Sequence, residues 1–339
     1  MEEEVVQVRH RVLLRERIFE PDKYFPQCHA STLIVLDHER DEVLASWFGG
    51  THEKHPDVAI WLSRRKDGRW SSPVKVADAE NIPCWNPVLF KGNNGRLYLF
   101  YKVGLNPQLW HTMVMTSTDG GDTWSQPREL VAGDIGGRGP VKNKPIILQS
   151  GRWIAPASVE TETRWDCFVD ISEDDGNTWI KSEMVPIDHG RLMDKGIIQP
   201  TLWESEPGEV HMLTRSTEGF IYRSDSENGG MTWCQAYPTD LPNNNSGIDL
   251  VKLKNGKLVL VYNPVQGNWV ERTPIALRVS DDNGLTWRDE LILDHNEAPK
   301  TSHDGEFSYP AIVSAENHVY ITYTWKRKTI AFWKIYISF

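Results

Sequence analysis

Apolar residues along this chain come in short runs of two to four, and the runs occur in pairs. Thr32-Leu33-Ile34-Val35 is followed across a polar stretch by Val43-Leu44-Ala45, and Val88-Leu89-Phe90 by Leu97-Tyr98-Leu99-Phe100. The pairing recurs at Ile146–Leu148 with Trp153–Ala155, Leu202-Trp203 with Val210–Leu213, Leu250-Val251 with Leu258–Val261, and Ala311–Val313 with Val319–Ile321. Short β-branched runs bounded by Gly, Asn and acidic residues predict strands, and pairs of them predict hairpins. No stretch carries a convincing helical period.

A second pattern runs in phase with the first. Ser-x-Asp-x-Gly-x-Thr-Trp occurs at Ser117–Trp124, Ser172–Trp179, Ser226–Trp233 (with Asn228 in the Asp place) and Ser280–Trp287, and a worn copy runs from Ser63 through Gly68 to Trp70. The tryptophans Trp70, Trp124, Trp179, Trp233 and Trp287 lie 54, 55, 54 and 54 residues apart. A fixed period of this length marks a repeat architecture. Six hairpins, each followed by a further strand and a Trp-marked turn, predict an all-β fold. It is a six-bladed β-propeller of four-stranded antiparallel blades, a single domain over residues 1–339. The terminal segments near Val5–Val12 and Ile330–Ile337 are expected to pair and close the ring.

Composition adds boundaries. The 339 residues are 39% hydrophobic and 25% charged, with a net charge of −10. That is a globular composition, and its sign argues against non-specific nucleic-acid binding. No apolar run is long enough to span a membrane as a helix. The start, Met1-Glu2-Glu3-Glu4, lacks an apolar leader, and Cys28, Cys84, Cys167 and Cys234 are scattered without a C-x-x-C pair. The cysteines therefore read as reduced, and the expected location is cytoplasmic. The run His52-Glu53-Lys54-His55-Pro56-Asp57 lacks zinc spacing and reads as a solvated loop. No metal ligands are assigned and no cofactor is required, although a divalent cation is left open.

The eight-residue element is an Asp box, and over nearly its whole length the chain resembles the sialidase-like BNR-repeat propellers. In the box, Asp accepts turn amides, Gly takes a positive φ, and Trp packs between blades, which is a structural role. The resemblance implies that the boxes join third and fourth strands on one face. The ligand face is then opposite, made by residues just before each first strand and just after each second strand. Before first strands this selects His29, Asn86, Lys142, Lys144, Gln199, Asn244, Glu306 and Tyr309. After second strands it selects Trp47, Phe48, Glu53, Lys102, Glu160, Arg215, Asn263, Arg272, Trp325 and Arg327. Six cations of an acidic chain gathered at one mouth point to an anionic ligand, with Arg suited to a carboxylate. Trp47, Phe48 and Trp325 suit stacking on sugar faces. Each has a bland alternative, such as a buried structural His29, a core Tyr309 or a blade-bridging Arg215. The expected partner is an acidic oligosaccharide or glycan, with no nucleic acid and no membrane.

Two enzyme readings follow from the resemblance. In exo-sialidases three arginines hold the carboxylate, a Tyr helped by a Glu is the nucleophile, and an Asp is the acid. Arg215 and Arg272 look like the second and third arginines and Tyr309 like the nucleophile. The first blade, however, opens with His29-Ala30-Ser31 in place of the Arg-Ile-Pro signature, and Glu53 or Asp57 would have to supply the acid. The chain is also similar to the BNR branch that contains rhamnose–glucuronate lyases, through His29–Thr32, Trp47–Thr51, Asn143–Pro145, Gln199–Thr201 and Tyr323–Trp325. That likeness implies β-elimination of a terminal L-rhamnose linked α-1,4 to glucuronate. The reaction needs a base for the C5 proton, cations on the carboxylate and an acid at the leaving oxygen. His29, Arg215 with Arg272, and Tyr309 would supply these, with the His and Tyr roles open to reversal. A non-catalytic propeller that binds acidic glycans is the remaining reading.

Overall fold

The computed structural model describes residues 9–296 and 305–338, and they form six antiparallel blades. Blade 1 runs through Gln27–Asp37, Glu42–Gly50 and Ala59–Lys66, and its outer edge is shared by Arg69–Trp70 and Val74–Ala77. Blade 2 is Cys84–Lys91, Leu97–Val103, His111–Ser117 and Arg128–Glu129. Blade 3 is Ile146–Ile147, Trp153–Glu160, Trp165–Ser172 and Ile180–Lys181. Blade 4 is Ile197–Glu204, Val210–Ser216, Phe220–Ser226 and Tyr237–Pro242. Blade 5 is Asp249–Lys252, Leu258–Tyr262, Ile275–Ser280 and Arg288–Asp294. Blade 6 combines Phe307–Ala315, His318–Trp325 and Thr329–Ser338 with Arg9–Arg17 from the other end of the chain. All six expected hairpins are present. The expected terminal pairing holds from Arg9, opposite Ser338, onward; Val5–Val8 lie outside the described residues.

The core lies between blades rather than at one centre. Val259 and Leu277 of blade 5 pack with Ile312, Ile321 and Ile335 of blade 6, and Ile154 and Val169 of blade 3 with Leu202 and Met212 of blade 4. Each box tryptophan is a wedge in such a seam: Trp179 of blade 3 meets Phe100 of blade 2 edge-on at 6.2 Å, and Trp70 meets Phe332 of blade 6 at 5.1 Å. All four cysteines are free thiols.

The boxes join third and fourth strands and repeat one hydrogen-bond pattern. In the second blade Gly121 N–H donates to Ser117 Oγ (2.8 Å), and Thr123 donates through both its amide (3.0 Å) and its hydroxyl (2.5 Å) to Asp119. The boxes at Ser172 and Ser280 do the same. In the Ser226 box the hydroxyl bond is reversed, with Asn228 Nδ2 donating to Thr232 Oγ1 at 2.8 Å. Restoring the charged acceptor strengthens such bonds. Asn228→Asp is therefore expected to raise stability by ~0.5–1 kcal/mol, read as a higher urea midpoint at unchanged slope; a lower midpoint would contradict this account.

The innermost strands are stitched around the ring. Leu89 N–H donates to Thr32 Oγ1, Leu250 N–H to Thr201 Oγ1, Ile312 N–H to Asp249, and Ala30 N–H to Thr324 Oγ1. The last of these ties blade 6 to blade 1.

Candidate functional site

At the end of the ring opposite the boxes, four first strands share one distortion. Each gains a residue against its partner strand, between His29 and Thr32, Trp85 and Val88, Ile198 and Thr201, and Ser308 and Ala311. The bulges contain Ala30 (φ 55°), Asn86 (φ 39°), Gln199 (φ 53°) and Tyr309 (φ 53°). A positive φ is uncommon without Gly and an outlier for a bulky aromatic, and it costs about 1–3 kcal/mol where neighbours enforce it. The neighbours here are specific. Asn143 Nδ2 donates to the carbonyls of Gln199 (3.1 Å) and Pro200 (3.0 Å), and the Lys142 ammonium donates to the Pro310 carbonyl. A bulge re-aims a side chain, and these four bring His29, Asn86, Gln199 and Tyr309 to one cavity.

That cavity measures about 470 Å³ and is lined from all six blades, with His29, Glu160, Gln199, Arg215, Arg272, Tyr309 and Arg327 around its floor and walls. Glu306 forms an ionic base beside it. Its carboxylate accepts from Arg272 Nη1 (2.8 Å), Arg327 Nε (2.7 Å) and Ser308 Oγ (2.6 Å). Burial alone would raise its carboxyl, but the guanidiniums of Arg272 and Arg327 hold it well below the usual carboxylate range. Arg327 also donates to Glu53 at 2.7 Å. Arg272 and Arg327 therefore already have carboxylate partners.

Arg215 does not. It is 2% exposed, donates from Nε to Asn245 Oδ1 (2.6 Å) and from Nη1 to Tyr309 Oη (2.6 Å) and Gln199 Oε1 (3.2 Å), and forms no ion pair among the described residues. Its guanidinium lies 5.6 Å from the Trp165 ring, 5.1 Å from Trp269 and 5.8 Å from Tyr309. A buried charge of this kind calls for a counter-charge, and the open side is the cavity.

His29 and Tyr309 lie in contact, with ring centroids 4.2 Å apart. His29 Nδ1 is 2.9 Å from Thr324 Oγ1 and 3.8 Å from Glu306 Oε1, while Nε2 makes no hydrogen bond to a described residue and the residue faces the cavity. Burial, then the charge of Arg327, pushes the imidazole well below its ordinary value against the opposing pull of Glu306, so it is neutral at pH 7. Tyr309 Oη accepts from Arg215 and, at 3.4 Å, from Gln199 Nε2, which leaves its own proton for a ligand. Neither neighbour is a carboxylate that could take that proton. Glu160 faces the same space without a hydrogen-bond partner among the described residues, and burial raises its carboxyl against the pull of Arg215 and Lys195.

Of the residues selected from the sequence, His29, Glu53, Asn86, Glu160, Gln199, Arg215, Arg272, Tyr309 and Arg327 line the cavity. The others do not, each for a physical reason. Trp47 is fully buried against Phe19, with ring centroids 5.1 Å apart. Lys102 is buried against Thr112 and the Arg138 carbonyl, and burial pushes its ammonium down to about 7. Lys142 is enclosed by Asn143, the Ile248 carbonyl and the Pro310 carbonyl, and Lys144 pairs with Asp249 at 2.9 Å toward the opposite end of the central channel. Asn244 donates to the Glu271 carbonyl (2.6 Å), and Asn263 donates to the carbonyls of Pro274 and Phe307 (both 2.8 Å). Trp325 lies outside the cavity, under the Arg17 guanidinium at 4.0 Å. The aromatic lining comes from Trp85, Trp110, Trp165 and Trp269 instead. The loop at His52–Asp57 is only partly a solvated turn: Asp57 caps it through Thr51 and His55, and Glu53 and Lys54 reach the cavity. Among the described residues no group of three or more His, Cys, Asp or Glu is placed to hold a metal ion.

Residues 41–321 match the family described as the BNR repeat-like domain. The chain belongs to that family. No curated protein matches the sequence significantly. Several solved BNR-type propellers superpose on nearly all of it. The Hadza microbial sialidase Hz136 has 16% identity and a TM-score of 0.77 over 95% of this chain and 68% of that one. A protein of unknown function from Dyadobacter fermentans has 18% identity and a TM-score of 0.74 over 98% and 99%. The NanB sialidase of Streptococcus pneumoniae has 15% identity and a TM-score of 0.72 over 95% and 70%. At these identities the likeness is one of fold, so the function of this BNR propeller has to be argued from its own cavity.

Proposed function

We propose that this protein cleaves an acidic glycan by β-elimination, releasing a terminal sugar from O4 of a uronate. The resemblance of the sequence to the lyase branch specifies L-rhamnose on D-glucuronate. The observation that carries the reading is the buried Arg215, unpaired with any carboxylate among the described residues, beside a neutral His29 and a Tyr309 whose hydroxyl meets Arg215 and Gln199 rather than a carboxylate. Arg215 takes the substrate carboxylate, and charge that develops on that carboxylate as the C5 proton leaves is stabilised there. His29 Nε2 takes the C5 proton. The C5–H pair becomes the C4–C5 double bond, the C4–O4 bond breaks, and Tyr309 gives its proton to the departing oxygen. Imidazolium and phenolate are left on two rings in contact, with centroids 4.2 Å apart, and return of the proton from one to the other restores both groups.

The deciding experiment is cleavage of rhamnosyl-α-1,4-glucuronate in heavy-oxygen water. Elimination yields ultraviolet-absorbing unsaturated uronate and no solvent oxygen in the released sugar after correction for anomeric exchange. Heavy oxygen in the sugar without the chromophore would establish hydrolysis. Hydrolysis is the second reading, favoured by Glu160, whose unpartnered, raised carboxyl suits a general acid. Binding without turnover of any acidic glycan would leave a binding propeller.

A pH prediction follows from the same geometry. A base works only when unprotonated, and the value of His29 in the folded protein lies below 6.5. The kcat/KM profile is therefore expected to stay level as pH falls through 6.5 and to drop only in more acid solution. A half-point at or above 6.5 would remove His29 as the base.

A further inference from the structure

The loop between the second and third strands of blade 5 carries Trp269 as well as Arg272, and the contacts of Trp269 with the described residues leave most of its ring in solvent. It is 60% exposed at the cavity rim and sits at φ 59°, a backbone state that a bulky side chain rarely adopts. The position is nevertheless fixed. Asn268, its neighbour, accepts from Asn245 Nδ2 (2.7 Å) and donates to Asp194 (3.0 Å), and Gly267 N–H donates to the Asn243 carbonyl (3.2 Å). The indole meets Trp165 nearly at right angles, with centroids 6.1 Å apart and planes at 79°, and both rings flank Arg215. A large apolar ring held in a strained backbone and left in water gives back little to folding.

We infer that Trp269, cornered by Trp165, is the stacking platform for a sugar ring next to the uronate held by Arg215, so that the ligand is an oligosaccharide and not a free acidic monosaccharide. This rests on the reading of Arg215 as the carboxylate site. The chemistry that fits is a pyranose with an apolar C–H face. It would lie on the indole while its acidic neighbour reaches the guanidinium 5.1 Å away. Because that guanidinium touches both rings, the platform and the carboxylate site fix each other's spacing. The corner therefore selects for the linkage as well as for the charge.

Calorimetric binding in a His29→Ala background, where turnover cannot confuse the measurement, tests the inference. The probes are methyl glucuronide, rhamnosyl-α-1,4-glucuronate, and a trisaccharide that extends the latter at its reducing end. With Trp269 intact, affinity is expected to rise about tenfold or more from the monosaccharide to the best oligosaccharide. In Trp269→Ala the monosaccharide binds as before and the gain with length disappears, whereas Trp269→Phe keeps part of it. A gain that survives Trp269→Ala overturns the platform while leaving the carboxylate site standing. An equal loss for all three probes also overturns it, because the residue would then be shaping Arg215 alone. If none of the probes binds with Trp269 in place, the carboxylate reading and the platform fall together.

Discussion

His29→Ala is expected to abolish formation of the unsaturated uronate, a loss of ~10²–10⁴-fold or more in kcat for removal of a positioned proton-transfer group. The folded state should survive, because among the described residues the imidazole makes one side-chain hydrogen bond, to Thr324. Binding of the acidic sugar should also survive, because the carboxylate is assigned to Arg215. The pattern looked for is a lost rate with a retained affinity and a nearly unchanged melting temperature. His29→Gln, which can still bond Thr324, guards against a loss caused only by the cavity left behind, and it should be as inactive. A variant that turns over within tenfold of the parent would remove His29 from the chemistry.

Replacing Arg215 is expected to act on binding and rate together. Arg215→Met keeps much of the volume but removes the cation, so kcat/KM should fall by about a hundredfold or more, near 2.7 kcal/mol. Part of that fall should appear in kcat, because Tyr309 loses the donor 2.6 Å from its oxygen. Arg215→Lys keeps the charge, yet a single ammonium cannot reach Asn245, Gln199 and Tyr309 at once, and a loss of about tenfold or more is expected. Unchanged steady-state kinetics in both variants would mean that the acidic ligand is held elsewhere.

The architecture was readable because it is periodic. A box every 54 or 55 residues and a hairpin in phase with it define the blades without any knowledge of contacts, and all six hairpins form where the apolar runs lie. The rule that sites fall before first strands and after second strands also found the cavity. It could not tell which side chains enter it. Lys142 and Gln199 satisfy the same rule, yet one is enclosed by carbonyls and the other opens on the ligand space; Gln199 sits in a bulge, and the first strand of blade 3, which follows Lys142, has none. A signal for those bulges was present in Asn86-Pro87, Gln199-Pro200 and Tyr309-Pro310, a polar or aromatic residue before Pro at the same place in three blades. Trp165 and Trp269 had no such signal. They stand at a strand start and in a loop, where neither period applies, and only the folded ring brings them to Arg215.

The cavity straddles the joint between the first and last blades. His29 enters with blade 1, while Thr324, Glu306, Tyr309 and Arg327 come from blade 6 or the segments flanking its strands, and blade 6 is completed by Arg9–Arg17 lying on Thr329–Ser338. On the roles proposed for His29 and Tyr309, activity requires closure of the circle. A population with the joint open would have the proposed base on one side of the gap and the proposed acid on the other, and is expected to be inactive however well its separate blades are formed. Any molecule bound across the gap acts as a clasp, adding its own binding free energy to the joint, about 2.7 kcal/mol at a hundred times its dissociation constant. By this linkage the abundance of the glycan would govern how long the circle stays shut.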